Sequence, residues 1–173
     1  MSSAGHPSRR LPERLLVGVL GHRNSGKSHT WNTLFGRTVR RGQQSRLLEL
    51  RPSECAEVFL VSGSFEERDE YAGDILANQE CRIVLCSIQY IGEVRATLDY
   101  FTENGFSLYV QWLNPGYSDP GVVPDHLGLL PSILDARSVV SIRDGRDASA
   151  ARVQEIREFI YGWALYRNLI RSC

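Results

Sequence analysis

Residues 21–28, with the sequence GHRNSGKS, are the part of this chain whose residue types and spacing point most clearly to chemistry. Gly21 and Gly26 let the backbone curl, so that successive N–H groups can point inward and cradle phosphate oxygens. Lys27 can reach the β- and γ-phosphates of a nucleotide, and the Ser28 hydroxyl can ligate a Mg²⁺ ion that bridges them. These residues therefore predict a phosphate-binding loop.

We expect the whole loop, and the residue that follows it, to contact a nucleotide. The predicted nucleotide-binding residues are Gly21, His22, Arg23, Asn24, Ser25, Gly26, Lys27, Ser28 and His29. Ser28 is also the predicted ligand of Mg²⁺, because its hydroxyl is a hard oxygen donor. Lys27 is the predicted catalytic cation, because it can neutralise charge on the transferred phosphate.

Two elements must position this loop, and the sequence supplies both. Residues 15–20 form a short apolar run that is typical of a buried parallel strand, and Lys27–Phe35 reads as a helix that opens on the loop. Gly36 is well placed to end the helix because glycine tolerates a left-handed conformation. The positive end of the helix dipole adds to the expected attraction for phosphate.

A strand, this loop and a helix in that order resemble the P-loop NTPase superfamily, whose Walker A pattern G-x-x-x-x-G-K-[S/T] is complete here. The resemblance is specific over residues 15–36 and only architectural beyond them. It implies an α/β, three-layer P-loop NTPase fold with a mostly parallel sheet flanked by helices. It also implies a bound nucleoside triphosphate, ATP or GTP, with Mg²⁺ as cofactor.

The rest of the chain continues the alternation of strands and helices. Further strands are predicted at residues 45–50, 56–61, 82–88, 106–113 and 138–142, and further helices at 66–78, between 91 and 103, at 125–136 and from 148 onward. This alternation indicates a parallel sheet that is covered on both faces. We expect a flexible leader at residues 1–13 and a single nucleotide-binding domain at residues 14–173.

The sequence leaves the branch of the superfamily open. Asn24 and residues 32–36 resemble the first motif of translation-factor and Era-type GTPases. However, residues 70–73 (EYAG) lie well past the strand that an Asp-x-x-Gly motif should follow, and residues 114–117 (NPGY) lack the lysine and aspartate of the guanine-reading motif. Residues 86–117 more closely resemble the small-molecule and polynucleotide kinase group, which favours ATP over GTP.

Phosphoryl transfer usually needs a carboxylate beside the metal, and the expected one is missing. The strand at 82–88 contains Cys86 and Ser87 near its end, where many P-loop enzymes carry an aspartate that holds Mg²⁺. Glu66 is the predicted substitute, and Glu67 and the nearby Asp69 are the other candidates. The competing interpretation of each acid is a solvated carboxylate at the start of a helix, where acidic residues are common.

Arg137, Arg143 and Arg146 are predicted contacts to the transferred phosphate, as the kinase resemblance implies. The competing interpretation is a charged surface turn, because Asp144 and Asp147 lie beside Arg143 and Arg146.

The motifs together leave two candidate functions. The first is Mg²⁺-dependent, kinase-like phosphoryl transfer or hydrolysis, and the alternative is a noncatalytic or slow nucleotide-gated regulatory module related to degenerate GTPases.

The C-terminal helix carries more apolar residues than one core face would use. They are Phe159, Tyr161, Trp163, Leu165, Tyr166, Leu169 and Ile170. A protein partner or a second copy of the chain could cover the excess, and the competing interpretation is that the helix packs into its own domain.

Bulk composition narrows the partners and the compartment. Twenty basic and twenty acidic side chains cancel, so a nucleic-acid partner is not indicated. No apolar run is long enough to cross a bilayer. The four cysteines contain no Cys-x-x-Cys pair, which argues against a zinc site, and we expect a cytoplasmic protein with reduced thiols.

Overall fold

The computed structural model of the protein describes residues 12–42 and 44–173. Its strands are β1 (Arg14–Gly21), β2 (Arg46–Arg51), β3 (Glu54–Val61), β4 (Ile83–Gln89), β5 (Phe106–Leu113), β6 (Ser138–Arg143) and β7 (Arg171–Ser172). Its helices are α1 (Lys27–Phe35), α2 (Ala72–Leu76), α3 (Val94–Glu103), α4 (Leu129–Leu134) and α5 (Ser149–Leu165). The predicted leader at residues 1–13 lies outside the described residues except for its last two.

The strands form one seven-stranded sheet with the order β2-β3-β4-β1-β5-β6, and β7 pairs with β3. Strands β1, β3, β4, β5 and β6 run parallel, whereas β2 and β7 run antiparallel to β3. β1 lies between β4 and β5, and its apolar residues are buried on both faces, as a central parallel strand requires. The predicted α/β fold with a mostly parallel sheet is therefore confirmed.

Helices flank the sheet, and each face has its own hydrophobic core. The face covered by α1 and α5 buries Trp31, Leu34, Val153, Ile156 and Ile160, among others. The opposite face, covered by α2, α3 and α4, buries Phe65, Leu76, Val94, Phe101 and Ile133, among others. Because both faces are covered, the parallel strands can be apolar throughout.

Two predicted helices are shorter than expected, because local hydrogen bonds compete with the helix. In place of a helix over 66–78, Ser64 Oγ accepts a bond from the Glu67 N–H at 3.2 Å, and the chain turns before α2 begins. In place of a helix over 125–136, the Asp125 carboxylate accepts bonds from the N–H groups of Leu129 and Leu130 at 3.0 and 2.8 Å. These side chains fix turns that shorten both helices.

The end of the chain returns to the sheet and forms a disulfide. β7 pairs with β3, and this pairing brings Cys173 to Cys55, with 5.8 Å between their Cα atoms. The expectation of reduced thiols is therefore wrong for this pair, whereas Cys81 and Cys86 are free and buried. No local spacing could reveal the bond, because 118 residues separate its two cysteines.

Most of the apolar excess of the C-terminal helix packs inside the molecule. Tyr161 and Trp163 are buried, and Phe159 packs on Tyr109 with ring centroids 4.4 Å apart. Leu165 and Tyr166 remain exposed, Tyr166 by 88%. A partner or a second copy at this end of α5 stays a prediction that concerns those two side chains.

Within residues 12–42 and 44–173, no helix is long and apolar enough to span a membrane.

Candidate nucleotide-binding site

The loop at residues 21–28 is shaped by two left-handed backbone positions. Asn24 has a φ of 58° and Gly26 a φ of 103°, and α1 begins immediately afterwards at Lys27. Asparagine tolerates this region, whereas the conformation at Gly26 favours glycine. Left-handed residues that interrupt right-handed ones turn successive N–H groups toward one concavity, which is a geometry that binds anions.

Gly21 lets the loop close tightly on itself, because no side chain fits at this position. A Cβ atom at Gly21 would lie 2.4 Å from the Oγ atom of Ser25. The Ser25 N–H donates back to the carbonyl of His22 at 3.2 Å, which completes the curl. These contacts therefore fix the shape of the loop.

The loop forms one wall of a cavity of about 1170 Å³. The lining residues are Arg23, Asn24, Ser25, Gly26, Lys27, Ser28, His29, Ser62, Glu67, Gln89, Tyr117, Ser118 and Gly145. Of the predicted nucleotide-binding residues, only Gly21 and His22 lie outside this lining. The cavity lies at the carboxyl ends of the parallel strands, where open α/β sheets usually bind ligands.

The ammonium group of Lys27 is held near the start of the loop by backbone carbonyl groups. Its side chain is buried, and Nζ donates to the carbonyl oxygens of Gly21 at 3.2 Å and His22 at 2.7 Å. Burial lowers the pKa of Lys27, and the charges of Glu67, Glu66 and Asp119 act in the opposite direction. Acidic residues therefore lie near the ammonium group, but it forms no direct ion pair among the described residues.

The two candidate acids have different surroundings. Glu66 accepts hydrogen bonds from the Gln89 N–H at 3.2 Å and from the Thr97 hydroxyl at 2.5 Å, and it is not part of the cavity lining. Its carboxylate joins the end of β4 to α3. Glu67 is exposed and lines the cavity. The structure thus places Glu67 at the cavity, although Glu66 was the predicted residue.

The hydroxyl of Ser87 and the thiol of Cys86 are used inside the protein. Ser87 Oγ accepts a bond from Trp31 Nε1 at 2.8 Å and donates to the Ser62 carbonyl at 2.7 Å. Cys86 lies in the hydrophobic core, and burial raises the pKa of its thiol well above the ordinary value. Neither residue lines the cavity.

Gln89 is a cavity residue that the sequence pattern did not single out. It is the last residue of β4, two positions after Ser87, so both side chains leave the same face of the strand. Gln89 lines the cavity, and its buried Oε1 atom has no hydrogen-bond partner among the described residues. A buried amide oxygen without a partner is costly unless a ligand satisfies it.

Arg143 and Arg146 do not reach the cavity lining. The Arg143 guanidinium binds the carboxylate of Glu155, with Nη2 2.9 Å from Oε1, and Arg146 binds Asp144 at 2.9 Å. All four side chains are substantially exposed. The charged surface turn, which was the competing interpretation, describes their contacts here.

Two loops, one after β5 and one after β6, pack against the 21–28 loop. The Tyr117 N–H donates to the Ser25 carbonyl at 3.0 Å, and the Gly145 N–H donates to the Pro115 carbonyl at 2.7 Å. A Cβ atom at Gly116 would lie 2.5 Å from Ser25 Cβ, and one at Gly145 would lie 2.7 Å from the Ser25 oxygen. The two glycines therefore permit an approach that no larger residue allows.

A polar contact closes this arrangement at the start of the loop. Nδ1 of His22 lies 3.2 Å from both carboxylate oxygens of Asp119, whose Oδ2 atom also accepts the Gly116 N–H at 2.8 Å. His22 therefore supports the loop from outside the cavity lining. Tyr117, whose side chain is 67% exposed, is the one aromatic residue of that lining.

Comparison of the chain with protein-family models, with curated proteins and with solved structures finds no match. Any functional assignment therefore depends on the residues that form this cavity.

Proposed function

We propose that this protein has the P-loop NTPase fold and binds a Mg²⁺-complexed nucleoside triphosphate in the cavity beside residues 21–28. The observation that carries the proposal is the loop itself. Between the central strand β1 and α1, left-handed positions at Asn24 and Gly26 shape the backbone, and Lys27 lies buried beside it. This combination suits phosphate binding.

The unsatisfied polar atoms at the cavity support the proposal. Ser25 Oγ and Gln89 Oε1 are buried without hydrogen-bond partners among residues 12–42 and 44–173. Such atoms reduce stability, and natural structures contain few of them. Rotation of either side chain toward the cavity would let a ligand, or its bound water, satisfy these atoms.

The residues around the cavity also fit a Mg²⁺ ion. Mg²⁺ prefers oxygen ligands and keeps several of its waters. The lining offers the Ser28 hydroxyl and the Glu67 carboxylate, and it includes Gln89, whose amide oxygen is buried. When bound, the ion would neutralise charge on the phosphates, while Lys27 supplies a second positive charge from the loop.

The reaction that we favour is kinase-like phosphoryl transfer or hydrolysis, with ATP preferred to GTP. Glu67 is then the acid that orients the metal waters or the attacking hydroxyl, because it is the carboxylate in the cavity lining. The alternative is a slow or noncatalytic nucleotide-gated module. That alternative is favoured by the end of β4, where an amide stands in place of a carboxylate.

Calorimetric titration of the purified chain with ATP and GTP, with and without Mg²⁺, tests the binding proposal. Parallel incubation with γ-labelled nucleotide separates binding from hydrolysis. We expect saturable binding of ATP, strengthened by Mg²⁺. If neither triphosphate binds under any of these conditions, the proposed function is wrong.

Replacing Ser28 with alanine should weaken Mg²⁺-dependent binding much more than metal-free binding. The hydroxyl is assigned to the metal, whereas the backbone N–H groups that hold the phosphates remain. Ser28 is exposed, so its removal leaves the core unchanged. Titration of both proteins with ATP in Mg²⁺ and in EDTA measures the difference. Equal losses in the two buffers would contradict the metal assignment.

Tyr117 should contribute to binding of the nucleobase. Stacking of a base on an aromatic ring contributes about 1–3 kcal/mol, so we expect Tyr117→Ala to weaken ATP binding about 5- to 150-fold. Tyr117→Phe should bind ATP nearly as well as the parent, and binding of inorganic tripolyphosphate should be unaffected by either change. Tyr166→Ala is the control, because Tyr166 is exposed and outside the cavity lining. An equal loss for tripolyphosphate would show that the change disturbs the loop instead.

A further inference from the structure

Arg152 lies directly behind the 21–28 loop, in the first turns of α5. It is only 4% exposed. Its Nη2 atom is 3.6 Å from the position that a Cβ atom at Gly26 would occupy. The backbone of Gly26, which lines the cavity, therefore adjoins a buried guanidinium group on the protein side.

A short chain of hydrogen bonds connects this guanidinium to the loop. Nη1 of Arg152 donates to the Thr30 hydroxyl, which in turn donates to the Gly26 carbonyl at 2.9 Å. Thr30 is fully buried. The arginine is thus fixed in position and linked to Gly26 through one side chain.

The unusual feature of Arg152 is the lack of a negative partner. Among the described residues it forms no ion pair, and its Nε atom has no hydrogen-bond partner. Burial alone lowers the pKa of Arg152, and no acidic neighbour opposes that effect. Arginine nevertheless stays charged in proteins. A buried charge without a partner is destabilising, so its retention calls for a compensating anion.

We infer that Arg152 supplies a fixed positive charge, through the backbone of Gly26, to the phosphates bound in the cavity. This inference rests on the proposed function. The guanidinium is a positioning and electrostatic group, since the loop backbone separates it from the cavity. Lys27 meets the phosphates from within the loop, and Arg152 acts on them from behind it.

If the inference is right, Arg152→Met should maintain or raise the stability of the protein and lower its affinity for ATP. Methionine fills much of the arginine volume without a charge, so the nucleotide-free protein should unfold at the same or a higher denaturant concentration. Its affinity for ATP should fall about 10- to 30-fold, as expected for one charge several ångströms away in a partly buried site. The loss should decrease from ATP to ADP to AMP, because fewer charges are bound. Arg152→Lys should retain most of the affinity.

Denaturant unfolding without nucleotide, together with calorimetric titration of ATP, ADP and AMP, tests all three proteins. Arg95→Met serves as the control for loss of an arginine, because Arg95 is exposed on α3 and does not line the cavity. If Arg152→Met unfolds more easily, fails to fold, or binds ATP as the parent does, the inference is overturned and Arg152 is structural. Equal loss in the Lys and Met variants would also overturn it, because geometry would then matter instead of charge. If the parent itself binds no nucleotide, the proposed function fails and the inference fails with it.

Discussion

Replacing Lys27 with alanine should abolish measurable triphosphate binding while the fold is retained. The side chain is 6% exposed and its Nζ atom makes two hydrogen bonds to loop carbonyls. With a nucleotide bound, it would instead make charge-assisted bonds to phosphate oxygens, each contributing about 1.5–3 kcal/mol. Loss of such bonds corresponds to a decrease in affinity of about 100-fold or more. Titration with ATP and GTP measures the change.

The composition of the chain offers an independent test of the same role. Lys27 is the only lysine in the sequence, whose other basic residues are arginines. An amine-reactive reagent can therefore modify only Lys27 and the terminal amino group. We expect MgATP to protect the Lys27 peptide from modification, as measured by mass spectrometry, and to leave the N-terminal peptide unprotected. Triphosphate affinity that is equal in Lys27→Ala and the parent would contradict the assigned role of the loop.

The elements next to the loop were predictable because their determinants are local. Helix α1 has the predicted bounds, and Gly36 ends it in a left-handed conformation with a φ of 66°. β5 also spans the predicted residues, before a loop that begins with Asn114 and Pro115. An apolar run of strand length, a glycine at the expected turn and a proline that cannot extend a ladder are visible in a single sequence.

The order of the strands was not predictable from such signals. β4 lies between β1 and β3, so residues that follow β3 and residues that end β4 share one cavity. The alternation of strands and helices does not specify which strands are neighbours. A loop that covers a site was expected after β5, and Tyr117 and Ser118 of that loop line the cavity. Gln89 and the Tyr117 side chain were missed, since their importance depends on what lies opposite them.

The choice between Glu66 and Glu67 was also not predictable from the local sequence. Both acids follow β3, and their sequence context is nearly identical. The difference arises from the turn at Ser64, whose hydroxyl accepts the Glu67 N–H, and from Thr97, whose hydroxyl bonds to Glu66. A contact to α3, more than thirty residues away, thus decides which carboxylate faces the cavity.

Glu67→Gln should separate the two proposed functions, with Glu66→Gln as its matched partner. If the protein is a phosphotransferase or hydrolase, Glu67→Gln should lower single-turnover cleavage of γ-labelled ATP about 100-fold or more, since the lost charge acts on the metal and the transition state. Binding of ATP should persist, because Lys27 and the loop are unchanged. If the protein is a nucleotide-gated module, turnover of the parent is negligible and the change is nearly silent.

Glu66→Gln should lower the stability of the protein and leave its turnover nearly unchanged, because the Glu66 carboxylate connects β4 to α3. The amide oxygen can replace only one of the two acceptors that bind Gln89 N–H and the Thr97 hydroxyl, so the free energy of unfolding should fall by about 1–2 kcal/mol. Turnover per folded molecule should stay close to that of the parent. Changing both acids should therefore add the stability loss of Glu66→Gln to the turnover loss of Glu67→Gln. Strong turnover in the Glu67 variant, combined with loss of turnover in the stable fraction of the Glu66 variant, would reverse the assignment and return the catalytic role to Glu66.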